Sequence, residues 1–104
     1  MWIQIIKMRL KPGMESDLHR LADELSQLEQ PGSGLVRSTT TRDRKDPSVV
    51  YSIVVFESEE KARARERDER RQEGLAKVRS LMAEIFDGPP EFLDLDVVSE
   101  YSGR

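Results

Sequence analysis

Val49-Val50-Tyr51-Ser52-Ile53-Val54-Val55-Phe56 is the stretch on which the fold turns. Its β-branched and aromatic residues, bounded by Asp46-Pro47 before and Glu57-Ser58 after, spell a β-strand. Side chains along a strand point alternately to opposite faces, so a strand covered on one side only alternates apolar with polar residues. Here only Ser52 breaks the apolar run, so both faces of the sheet around this strand must be kept from water.

Working outward, Leu35 to Arg42 carries Val36 and the β-branched run Thr39-Thr40-Thr41, a half-exposed strand joined through the polar turn Arg42–Pro47 as a hairpin. Further back, Trp2 to Leu10 is a strand stopped by Lys11-Pro12-Gly13, with Ile3 and Ile5 on one side and Trp2, Gln4, Ile6, Met8 and Leu10 on the other. Between them, Leu18, Leu21, Ala22, Leu25 and Leu28 form one helical stripe within Met14 to Glu29. On the other side of the decisive strand, Ser58 ahead of Glu59 and Glu60 reads as an N-cap. The long helix it opens is charged through Glu73 and is expected to bend or break near Gly74. It resumes with Leu75, Val78, Leu81, Met82 and Ile85 and stops at Asp87-Gly88-Pro89-Pro90. Phe92 to Val98 then gives a last strand with Leu93, Leu95 and Val97 on one face.

The order predicts an α+β, ferredoxin-like β-α-β-β-α-β fold, a four-stranded antiparallel sheet with two helices on one face. Residues 1–104 are enough for one hydrophobic core and too few for two, so a single domain is expected. The helices cover one face of the sheet. For the other, the simplest cover is the same face of a second copy, making a homodimer packed sheet on sheet.

The 20 acids and 17 bases are interleaved and leave a net charge of only -3, so nucleic acid is not an expected partner. No apolar run is long enough for a signal sequence or a membrane span, which points to the cytoplasm. The chain has no cysteine, which excludes disulfides, thiolate metal sites and a thiol nucleophile, and its single histidine argues against a metal centre.

The strand ending in Lys11-Pro12-Gly13, the run Val55-Phe56-Glu57-Ser58-Glu59-Glu60-Lys61-Ala62 and the closing Gly88-Pro89-Pro90-Glu91-Phe92 together resemble the antibiotic biosynthesis monooxygenase family of the dimeric α+β barrel superfamily. The resemblance spans almost the whole chain. It implies a pocket between the sheet and the two helices for a flat aromatic or polyketide-type molecule. It also implies a cofactor-independent monooxygenase chemistry, without metal, in which the substrate anion reduces oxygen and the protein supplies shape, hydrogen bonds and proton removal. The alternative is a non-catalytic dimeric ligand-binding or accessory protein of the same fold. Haem-degrading relatives use an Asn, a Trp and a His at places that align with Ile6, Ala64 and Gly74, so haem is not an expected cofactor.

Individual residues suggest a pocket without naming a catalyst. The pocket candidates are Trp2, Gln4, Ile6, Ser52, Phe56 and Phe86. Gln4 shares the face of Ile6 and reads equally as a ligand-binding amide or as a satisfied amide at the mouth of the core. Tyr51 and Ser52 point to opposite faces, so only one can line the pocket, and Tyr51 reads as an interface residue. His19 is the natural general base by pKa, yet it sits between Glu15 and Asp23 at the helix edge and reads as solvated. In Glu59 to Glu73, Arg63, Arg65 or Arg67 could clamp an anion, while the plainer reading is a solvated helix laced with pairs such as Glu59–Arg63 and Glu66–Arg70. Asp94 and Asp96 are expected to pair with Lys7 and Arg9 across strands.

Overall fold

The computed structural model describes residues 1–103. The elements run β1 (Trp2–Arg9), α1 (Glu15–Gln27), β2 (Leu35–Arg42), β3 (Val49–Phe56), α2 (Glu59–Glu66), α3 (Glu69–Ile85) and β4 (Glu91–Asp96). The four strands form one antiparallel sheet in the order β2-β3-β1-β4. The ferredoxin-like arrangement is as expected, with three helices in place of two. The two strands that are apolar on both faces, β1 and β3, lie at the centre, and the threonine-rich β2 and the acidic β4 form the edges.

Register decides which residues can meet. β1 pairs with β3 so that Gln4 opposes Val54 and Ile6 opposes Ser52, and with β4 so that Gln4 opposes Asp94 and Ile6 opposes Phe92. Residues directly opposite one another share a face. Asp94 and Asp96 therefore lie on the helix-covered side with Gln4 and Trp2, which corrects the expected pairing with Lys7 and Arg9. Lys7 instead faces Glu91, with 4.0 Å between Nζ and Oε2, and Arg9 bonds Ser48 at 2.9 Å beyond the end of β4.

The helical break falls at Arg67-Asp68, six residues before the expected place near Gly74. Asp68 is extended and its carboxylate accepts from the Arg70 N–H at 2.9 Å, so the aspartate caps a new helix where the old one would continue. The break also removes the i,i+4 geometry of Glu66 and Arg70. Arg70 turns to Asp68 at 2.6 Å and Glu66 to Arg63 at 3.1 Å, whereas the expected Glu59–Arg63 pair forms at 3.3 Å. Gly74 stays inside α3 because α1 and α3 approach closely there: a Cβ on it would lie 2.1 Å from Leu28 Cδ2.

Two core clusters fill the space between sheet and helices. The larger joins Met8 and Val50 to Leu18 and Leu21 of α1 and to Val78, Leu81 and Ile85 of α3. The smaller joins Trp2, Val54 and Phe56 to Ala62 of α2. Ile6 packs against both, and the volume left between the two clusters is the cavity described below.

Gly74→Ala in an otherwise unchanged chain should fail to deliver the ~1 kcal/mol that alanine gains over glycine within a helix, because Leu28 must give way. In a Leu28→Ala background the same change should stabilise. A double-mutant cycle by urea unfolding checks this, with a coupling of about 0.5 kcal/mol or more expected.

Candidate functional site

The cavity holds about 610 Å³ and lies between the helix-covered face of the sheet and all three helices. Ile6, Val54, Phe56, Leu25, Leu75 and Met82 give it apolar walls, and Gln4, Ser38, Thr40 and Ser52 bring polar groups from three neighbouring strands. Their convergence follows from register: Ser52 opposes Ile6 on one side and Thr40 on the other, and Val54 opposes Gln4 and Ser38. A mostly apolar hollow of this size with a few convergent polar groups matches the usual form of a small-molecule site.

Four of the six expected pocket residues, Gln4, Ile6, Ser52 and Phe56, line this cavity. Trp2 does not. It is buried behind Phe56 with ring centroids 5.9 Å apart, and the Arg63 guanidinium lies 5.1 Å from its ring centre. The reason is positional: Trp2 begins β1 and falls under α2, where Ala62 is small enough to receive it. Phe86 also lies outside, at the end of α3, where it lines a neighbouring cavity of about 400 Å³ with Met8, Gly88 and Pro90. The two cavities share Arg79, Met82 and Phe92. Tyr51 is on the opposite face of the sheet, and His19 is exposed on α1 away from the lining.

Charged groups gather at one side of the cavity. Arg65 Nε donates to both carboxylate oxygens of Glu29, at 2.8 and 3.0 Å, and its guanidinium rests 5.5 Å from the centre of the Phe56 ring. Arg63 is drawn off to Glu59, Glu66 and Asp94, and Arg67 is exposed. Asp94 also accepts from the Gln4 amide at 3.0 Å, which fixes that amide at the cavity wall.

The residue that sequence reasoning missed is Arg71. It lines the cavity and is 3 % exposed, the only charged residue buried to that degree among those described. Its Nη1 donates to the Arg65 carbonyl at 3.1 Å, while Nε is sealed from solvent without an acceptor. Burial, reinforced by the like charge of Arg65 and opposed by Glu29, weakens its hold on its proton relative to an ordinary guanidinium. Nothing in the charged run from Glu59 to Glu73 distinguishes this arginine from its neighbours. Ser38 and Thr40 were legible in principle, since a hairpin register fixes which residues of β2 face Ser52 and Val54.

Among the described residues, no group of three or more His, Asp or Glu side chains is placed to hold a metal ion. Of the positions aligned with the haem-binding set, Ile6 is a cavity wall, Ala64 is exposed on α2, and Gly74 backs onto Leu28; none offers a ligand atom.

A four-stranded antiparallel sheet roofed by helices over a lined cavity defines a ferredoxin-like α+β protein. The antibiotic biosynthesis monooxygenase family model matches residues 1–77, and the chain belongs to that family. Similar solved structures include a protein of Nitrosomonas europaea provisionally named an antibiotic biosynthesis monooxygenase, with a TM-score of 0.75 and 13% identity over 95% of this chain and 100% of that one. A protein of Chloroflexus aurantiacus, provisionally named in the same way, has a TM-score of 0.66 and 24% identity over 98% of each chain. Rv0793 of Mycobacterium tuberculosis superposes with a TM-score of 0.72 at 15% identity, covering 97% of this chain and 98% of that one. These likenesses concern the fold. No similar sequence was found among curated proteins.

Asp68 sets the start of α3 and so the position of Arg71. Hydrogen bonds from the Arg70 side chain and backbone hold its carboxyl down from 3.8 to about 2. A carboxyl with a depressed folded-state pKa stabilises the fold above its unfolded pKa and loses that contribution as pH falls through the folded value. Asp68→Ala should therefore be less stable than the parent at neutral pH. The gap in urea midpoint should narrow between about pH 4 and pH 2 and stay constant at higher pH.

Proposed function

We propose that the chain is a small cofactor-independent monooxygenase-like enzyme that takes an aromatic or polyketide-type molecule into the cavity between sheet and helices, the whole chain acting as one domain. The observation that carries this reading is the cavity itself: about 610 Å³, apolar on most sides, with Gln4, Ser52, Ser38 and Thr40 reaching into it. A flat ring system fits between Ile6, Val54 and Phe56 on the sheet side and Leu25, Leu75 and Met82 on the helix side. In such chemistry an activated CH₂ group of the bound anion gives its electrons to O₂; one oxygen atom stays as the carbonyl and the other leaves as water. The hydroxyls and the Gln4 amide would orient the substrate oxygens, and the apolar walls would keep bulk water from the reacting carbon.

A second reading, a non-catalytic dimeric ligand-binding or accessory protein, is favoured by one observation. The two acids beside the cavity are held in ion pairs, Glu29 with Arg65 and Glu66 with Arg63, and His19 is elsewhere, so the lining offers no free group suited to proton abstraction. Oxygen consumption with a panel of anthrones and hydroquinones separates the two. Uptake clearly above the buffer rate with at least one compound is expected, and none across the panel would leave the binding role.

We propose also that the chain works as a homodimer, in the cytoplasm. No described helix is long and apolar enough to cross a membrane. The sheet face away from the helices presents Ile3, Ile5, Ile53, Leu93 and Leu95, with Leu93 57% and Leu95 41% exposed, a contiguous apolar patch of the kind that marks an interface. Light scattering should give a mass near twice 12.0 kDa, and Ile5→Asp with Leu93→Asp should shift it to a monomer. A monomeric parent at micromolar concentration would remove the sheet-to-sheet interface.

A further inference from the structure

Arg71 presents a physical puzzle that the fold alone does not resolve. A guanidinium carries five donors and a full charge, and burying it without partners is costly. Only one hydrogen bond meets it, from Nη1 to the Arg65 carbonyl. Because Nη1 is the nitrogen on the Cδ side, this bond leaves Nε and Nη2, the parallel donor edge that matches the two oxygens of a carboxylate, with no acceptor from the protein. Of the acids that act on it Glu29 has the largest effect, but both Glu29 oxygens already accept from Arg65 Nε. Around the cavity the charges are Arg65, Arg71 and Arg79 against Glu29 and Glu66, one positive charge in excess, on a chain whose net charge is -3.

We propose that the Arg71 guanidinium, a cavity-lining group with one protein acceptor, binds the carboxylate of an aromatic acid whose ring body lies in the apolar part of the cavity. The inference rests on the cavity being a ligand site, and not on whether oxygen is consumed there. The arrangement accounts for each of these features. The Arg65 carbonyl fixes the rotation of the guanidinium. Glu29 neutralises Arg65, so that the competing guanidinium does not repel Arg71 without compensation. The ligand's charge supplies what the protein withholds. The apolar walls, Val54, Leu75 and Met82 among them, keep the local dielectric low, which strengthens a paired charge and penalises an unpaired one. Arg71 is thus a binding residue that selects acids against neutral molecules of the same shape.

The test uses 2-naphthoate and its neutral counterpart 2-naphthamide, each titrated into the full chain by isothermal calorimetry. Naphthoate should bind about ten-fold or more tightly than the amide, in keeping with charge-assisted hydrogen bonding, and against the chain's net negative charge. Arg71→Met, folded by circular dichroism, should bring the ratio to about one while changing the amide's affinity by no more than about two-fold. Arg71→Lys should restore only part of the preference, since a point charge lacks the fork. Arg67→Gln, an exposed change away from the lining, should leave the preference in place. Equal affinities in the parent overturn the proposal without recourse to any variant, as does an unchanged ratio in Arg71→Met. Binding of neither probe at millimolar concentration overturns it together with the pocket. Naphthoate preference with no oxygen uptake from any anthrone or hydroquinone removes the oxygenase reading and leaves the acid site. Uptake without preference does the reverse.

Discussion

The antiparallel pairing of β1 with β3 is the constraint from which the other features descend. It sets Gln4 against Val54 and Ile6 against Ser52 in the middle of the sheet, where both faces are apolar. The pairing gives the helices one face to cover and leaves Ile3, Ile5 and Ile53 on the other. It also determines which polar groups can reach a ligand, since a one-residue slip of β3 against β1 would carry Ser52 to the far side and bring Tyr51 and Ile53 under the helices beside Gln4. Fold, interface and pocket are three consequences of one register.

The cavity exists because the helical cover is divided. α1 and α3 close on Met8 and Val50 at one end of the sheet, and α2 closes on Trp2, Val54 and Phe56 at the other. The Arg67-Asp68 break lets α2 and α3 take separate positions, and Gly74 lets α3 settle tightly on Leu28. Asp68 thereby has an indirect part in the site. By starting α3 where it does, it carries Arg71 beneath the Arg65 carbonyl, at the junction of the two clusters. Local hydrogen bonding at a helix start and long-range placement of a buried charge are coupled.

Family membership, the cavity and the buried arginine speak to different levels of function. Membership fixes a class of scaffold and leaves the ligand to the residues of the lining. The cavity gives the volume and polarity that a small aromatic molecule needs. Arg71 adds a sign: it is a cation held where water and protein acceptors are scarce, a setting that favours pairing with an anion. Ile6, Ala64 and Gly74, which align with the ligand set of haem-degrading relatives, serve here as wall, surface and helix contact.

The strands, their order and the two-faced apolar centre were legible in the chain, because alternation and β-branching are local properties, and Val49 to Phe56 carries both without ambiguity. The same alternation assigned Gln4, Ile6, Ser52 and Phe56 to the pocket side. Where a long-range decision was needed, local pattern failed. Trp2 has the right parity but lies under α2, and Phe86 lies past the end of the cavity, since parity gives a face and not a distance along it. Asp94 and Asp96 went to the opposite face from the one expected, because the register of β4 is set by pairing with β1 and not by its own alternation. Arg71 is the clearest case: six bases between Glu59 and Glu73 are alike in sequence, and only the tertiary placement of α3, with Arg71 against the Arg65 carbonyl, took one of them out of water. Sequence alone determined which residues want to leave solvent; the tertiary structure decided which charged residue had to leave with them, because burial belongs to the assembled surfaces and to no single element.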